Sequence, residues 1–88
     1  GQEVQLVGDF RGNWNEPIKA VHVGGPKYAV DLRLPQGKYN YKFIVGGQWR
    51  HSTTLPTETD QWGNMNNVIW IGDVASAKFE SPARQHVK

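Results

Sequence analysis

The sequence contains no cysteine, so neither a disulfide framework nor a thiolate metal site can add stability, and thiol nucleophiles are excluded. No apolar run approaches the ~20 residues of a membrane-spanning helix, which leaves no candidate span and argues against a membrane partner. No signal or transit segment is visible, and there are no internal repeats. Charge of one sign is scarce as well. Up to Asp73 there are seven Lys/Arg (Arg11, Lys19, Lys27, Arg33, Lys38, Lys42, Arg50) against seven Asp/Glu (Glu3, Asp9, Glu16, Asp31, Glu58, Asp60, Asp73), so the formal net charge of +2 comes entirely from Lys78, Arg84 and Lys88 against Glu80. A neutral body argues against nucleic acid as partner, because polyanion affinity is mostly counterion release by clustered cations.

What the chain does have is aromatic side chains and turns: four Trp, three Tyr, three Phe, ten Gly and five Pro in 88 residues. A chain of this length makes one domain, and each large ring can bury roughly 150–250 Å² in its core. Val4 to Val7 reads as a strand that ends at Gly8-Asp9, and Phe10 to Pro17 as a loop holding Trp14. Lys19 to Val23 is a short strand closed by Gly24-Gly25-Pro26. Tyr28, Val30, Leu32 and Leu34 alternate with Ala29, Asp31 and Arg33, the period-2 pattern of a strand with one buried face. After Pro35-Gln36-Gly37, Tyr39, Tyr41, Phe43 and Val45 line one face of the next strand and Asn40, Lys42 and Ile44 the other. Gly46-Gly47 is a two-residue hairpin turn to a return strand, Gln48 to His51. Ser52 to Asn67 reads as a long loop, Val68 to Ile71 as the last strand, and Val74 to Lys88 as a flexible tail or linker. The domain is therefore expected over residues 1–73, the tail over 74–88, and the fold is all-β, since no segment of about ten residues shows helical spacing.

Catalysis finds little support. His22, His51 and His86 have no cysteine beside them and no i, i+4 partner, so no metal is expected. His51 and Ser52 are neighbours on a strand and project to opposite faces, which keeps a base from its nucleophile. Glu58 and Asp60 are a pair of carboxylates of the kind a glycosidase uses, but they lie in one loop of a domain too small for a deep cleft. The chain reads as a non-enzyme without cofactor.

The informative residues are tryptophans. Trp70, between Ile69 and Ile71, reads as core. Trp14 lies between two Asn, Trp49 between Gln48 and Arg50 just past the hairpin, and Trp62 between Gln61 and Gly63. Large rings in such polar settings are either core residues in disguise, the commoner case for Trp, or a binding surface. A pyranose has an apolar C–H face and a rim of hydroxyls, which suits a flat indole below and amide or ammonium donors at the edge; Asn64, Asn66, Asn67 and Lys42 are such donors.

Three ordered segments carry a resemblance. The series Val4-Gln-Leu-Val-Gly-Asp-Phe-Arg-Gly-Asn-Trp14, then Leu34-Pro-Gln-Gly-Lys-Tyr-Asn-Tyr-Lys-Phe-Ile-Val-Gly-Gly-Gln-Trp-Arg-His51, then Gly63-Asn-Met-Asn-Asn-Val-Ile69 resembles carbohydrate-binding module family forty-eight, which includes the glycogen-binding domain of the AMP-activated kinase β subunit. Within that family the chain is most similar to the modules of plant like-starch-excess-four proteins, plastidial relatives of glucan phosphatases. The resemblance implies an immunoglobulin-like antiparallel β-sandwich and binding of α-glucan (starch, glycogen or maltooligosaccharides), with other starch-metabolism proteins as further partners. It implies a plastid location if the plant resemblance holds and a cytoplasmic one otherwise. The family's sugar-contacting positions fall on Trp14, Lys42, Trp49 and Asn66, while Trp62 and Asn64 occupy loop positions where the kinase modules usually carry Leu and Thr that also touch sugar. The sequence departs from the family pattern in three places: Gly46 stands where many relatives have Asp, the Phe10 to Trp14 loop has one extra residue, and the strand expected upstream of Gly1 to Glu3 is missing, which would leave a sheet edge exposed. Two other readings share these residues. One is a protein-interaction module that has lost sugar affinity; the other is a single-strand nucleic-acid binder using Tyr39, Tyr41, Phe43 and Lys42, which the neutral body and the inward alternation of those rings disfavour.

Overall fold

The computed structural model describes residues 3–11, 14, 16–25, 27–72 and 75–81. Among the described residues nine strands form two antiparallel sheets: β1 (Val4–Gly8), β2 (Ile18–Lys19), β3 (Val21–Gly24), β4 (Lys27–Leu34), β5 (Gly37–Val45), β6 (Gln48–Arg50), β7 (Thr57–Thr59), β8 (Met65–Ile71) and β9 (Ala75–Glu80). The larger sheet runs β2-β1-β5-β8-β7 with β6 also paired to β5, and the smaller runs β3-β4-β9. The only helical element among the described residues is a 3-10 turn, Asp9–Arg11.

Strand β5 is the spine. One of its edges pairs with β1, Val4 opposite Val45 through Gly8 opposite Tyr41. Its other edge is shared end to end, by β8 over Gly37–Tyr41 and by β6 over Phe43–Val45. Because side chains alternate along a strand, Tyr41 and Phe43 enter the core between the sheets, where they meet Val4, Leu6 and Ile71 from the larger sheet and Val30, Leu34, Ala77 and Phe79 from the smaller. Phe79 packs edge-on to Tyr41 at 4.9 Å between ring centroids and tilted against Phe10 at 5.5 Å. Burial pushes the Tyr41 phenol above its ordinary range. Gly8 is required at the end of β1: a Cβ there would collide with the Phe10 ring and stand 2.6 Å from the Asn40 carbonyl oxygen.

Four expectations change. Ala75–Glu80, read as the start of a tail, is a strand that pairs with β4 in register from Ala29 opposite Glu80 to Leu34 opposite Ala75. Its alternation, Ala77 and Phe79 inward and Lys78 and Glu80 outward, was too short and too Ser/Ala-rich to stand out, but without Phe79 the smaller sheet would lack its largest core ring. The tail expected beyond residue 81 lies outside the described residues. The Ser52 to Asn67 loop is interrupted by β7, whose β-branched Thr57 and Thr59 suit a pleated edge, and β8 begins at Met65. The strand expected over Lys19 to Val23 is split at Ala20 between the two sheets, β2 joining β1 and β3 joining β4. Finally, Trp70 is not core: Ile69 and Ile71 face inward on β8, so the residue between them must face out, and Trp70 is 59% exposed.

Candidate functional site

The outer face of the larger sheet, turned away from the core, carries the site. On β5 the residues opposite in pleat to Tyr41 and Phe43 are Asn40, Lys42 and Ile44, so Lys42 stands clear of the aromatic core. Trp49 sits directly across from Ile44 on β6 and thus shares the face of Lys42; it is 53% exposed. What puts it there is the tight turn at Gly46-Gly47, with φ of 56° and 85°, the double positive φ of a type I′ hairpin that matches strand twist. Glycine at residue 46 adopts this positive φ without a Cβ penalty. Asn66, on β8, is buried and faces the same way as Val68, its neighbour across from Asn40.

The loop between β7 and β8 brings the remaining residues. Asp60 organises it: its Oδ1 accepts hydrogen bonds from the backbone N–H of Trp62 at 2.9 Å and of Asn64 at 2.9 Å. Its own backbone N–H donates to the Asn64 carbonyl at 2.8 Å. Donors aimed at the ionised carboxylate favour it, so the Asn64 N–H first, then the Trp62 N–H and the Asn64 and Asn66 side chains, hold the Asp60 carboxyl below its ordinary value. The turn leaves the Trp62 indole 76% exposed. On the opposite side, Asp9 takes a hydrogen bond from the Asn40 backbone N–H at 3.0 Å and one from Asn40 Nδ2 at 3.3 Å, which ties the start of the Trp14 loop to β5. Trp14 itself has φ of 68°, a left-handed conformation uncommon for any residue with a Cβ and unfavourable for a bulky one.

These elements meet around one open cavity of about 660 Å³, lined by Asp9, Trp14, Asn40, Lys42, Trp49, Asp60, Trp62, Asn64 and Asn66. Six of the residues singled out in the sequence, Trp14, Lys42, Trp49, Trp62, Asn64 and Asn66, therefore share one surface; the seventh, Asn67, does not, because the pleat turns it inward and its buried amide is bonded to Ser52 and Pro56. The sequence matches the family described as the glycogen recognition site of AMP-activated protein kinase across residues 1–77. The chain belongs to this carbohydrate-binding module family.

The module is 62% identical over 78 residues to the chloroplastic phosphoglucan phosphatase LSF1 of Arabidopsis thaliana, covering 89% of this chain and 13% of that protein. It is 40% identical over 72 residues to the 5'-AMP-activated protein kinase subunit beta-1 of Sus scrofa and of Homo sapiens, covering 81% of this chain and 56% and 25% of those proteins. The chain thus spans only a part of the curated relatives it matches. Three cavity residues of the module, Asp9, Asn40 and Asp60, were not singled out by sequence reasoning as site residues. Asn40 was legible as the outward neighbour of Lys42 in the β5 alternation, whereas the roles of Asp9 and Asp60 depend on which backbone N–H groups the fold brings to them. The paired carboxylates Glu58 and Asp60 do not face each other as an acid and a base: Glu58 is ion-paired with Lys38 at 2.6 Å and Asp60 is committed to its own loop. Among the described residues no three His, Cys, Asp or Glu side chains gather to hold a metal ion.

Proposed function

We propose that the module binds α-glucan without transforming it, hexose units settling on the indoles of Trp14, Trp49 and Trp62 while Lys42, Asn64 and Asn66 take the hydroxyl edge. The observation that carries this reading is the convergence of three indoles, one ammonium and amide side chains on a single open cavity. Flat apolar rings with polar groups around them match the two-sided chemistry of a pyranose. If each ring hides on the order of 80 Å² of apolar surface, stacking contributes roughly 2 kcal/mol per ring before association and ordering costs, which points to micromolar to millimolar affinity for one site. Two carboxylates beside one lysine provide no cluster of positive charge for a phosphate backbone, which favours a neutral polymer over an oligonucleotide.

By extension from its relatives, the module places a larger protein on starch or glycogen, and the chloroplastic relative supports a plastid setting. Titration with maltoheptaose, followed by tryptophan fluorescence, is expected to saturate with little dependence on salt. Trp49→Ala should lower the affinity at least tenfold with the circular dichroism spectrum unchanged; undiminished binding by that variant would overturn the reading.

A further inference from the structure

Outside the cavity, the same sheet face carries an indole that the proposed site does not use. Trp70 points outward near the C-terminal end of β8, 59% exposed, directly across from Lys38 on β5. The Lys38 ammonium lies over the indole, 5.9 Å from the ring centroid, and is also bonded to the Glu58 carboxylate at 2.6 Å. Glu58 sits on β7 across from Asn66, a cavity residue. The ion pair thus joins a position level with Trp70 to one level with the cavity, and between them Val68 is covered, 2% exposed. Lys38 and Asn40 are two residues apart on β5, about 7 Å at ordinary strand rise, so the Trp70 platform begins one pleat beyond the cavity edge.

We infer that Trp70, with Lys38 and Glu58 beside it, is a second stacking platform that takes hexose units of the same α-glucan chain after it leaves the cavity. This rests on the glucan-binding reading of the cavity. An ion pair whose side chains are both about 40% exposed contributes little to stability. It does offer both a donor and an acceptor next to an open indole, the combination a sugar ring uses. The alternation of β8 places Asn66 and Trp70 on one face about 13 Å apart, a span that a linear glucan of several units bridges and a short oligosaccharide held in the cavity does not.

Chain length therefore provides the test. The variants Trp70→Thr and Trp70→Ala, with Trp49→Ala as reference, are titrated with maltotriose and with a linear α-1,4-glucan of a dozen or more units, folding being followed by thermal melting. Both Trp70 variants should keep wild-type affinity for maltotriose and lose roughly three- to tenfold for the long chain, the size of one modest stacking contact. Trp70→Tyr, which keeps a flat ring, should recover most of that loss. Equal long-chain affinity in wild type and both Trp70 variants overturns the second platform. An equal loss for both ligands also overturns it, because it places the effect on the cavity or the fold. Failure of Trp49→Ala to weaken either ligand strikes the cavity reading instead, so the two failures are distinguishable.

Discussion

The buried side chain of Asn67 clasps Ser52 on both sides: its Oδ1 accepts the Ser52 backbone N–H at 2.6 Å, and its Nδ2 donates to the Ser52 carbonyl at 2.9 Å. Nδ2 also donates to the Pro56 carbonyl at 3.2 Å. One amide, 0% exposed, thereby satisfies backbone groups of the whole segment that leaves the strand of Trp49 and enters β7. Asn66 and Asn67 are neighbours in sequence with opposite duties, since the pleat turns the first to the cavity and the second inward.

Replacing Asn67 with Leu should therefore cost about 2–3 kcal/mol, because the Ser52 and Pro56 groups lose partners in a place closed to water. Urea unfolding measures the cost. Glucan affinity should fall less than in Trp49→Ala, since the cavity side chains remain.

Trp14 separates ring from backbone. Both Trp14→Ala and Trp14→Gly should weaken maltoheptaose binding by about tenfold, through loss of one stacking surface. The glycine variant should nevertheless be the more stable of the two by roughly 1 kcal/mol, because φ of 68° strains alanine but not glycine. Equal melting temperatures would show that the loop relaxes once the indole is gone.

Asp60 predicts an acid limit to binding. Its folded pKa lies below the ordinary 3.8, so its contribution to holding Trp62 and Asn64 is complete above that value and is lost as pH falls through the depressed folded value. Affinity should be flat from neutral pH down to about pH 4 and drop below it, before or together with unfolding. In Asp60→Asn, which keeps a carbonyl acceptor without titrating, that drop should vanish and affinity should be modestly reduced throughout. Isothermal titration across pH, with circular dichroism at each point, checks both statements.

Phe79→Ala should cost about 3–5 kcal/mol, since the ring is 1% exposed and touches Phe10 and Tyr41. That loss is comparable with the whole stability of many small domains, so the variant should show a broad, low-temperature melt. A fully stable Phe79→Ala would contradict the place of β9 in the core.

Much of this was written in period-2 alternation. The faces of β4 and β5, the hairpin at Gly46-Gly47 and the outward direction of Lys42 follow from local pattern and from glycine's tolerance of positive φ. Trp70 shows the limit of that reading, because an apolar run Ile69-Trp70-Ile71 looks buried until the strand's own alternation is applied to it. Strand β9 shows another: six residues with a single large apolar side chain, Phe79, declare no face until a partner strand is supplied.

Composition and strand period act residue by residue, and they suffice for a cysteine-free, aromatic-rich β domain and for which of its tryptophans stand in polar settings. The convergence of Trp14, Trp49 and Trp62 on one cavity belongs to the folded chain, because they sit on three separate segments joined by pairing through β5 and β8. The fold alone assigns Asp60 and Asn67 their work as well. A hydrogen bond needs a partner at about 3 Å, and only the folded chain brings one there.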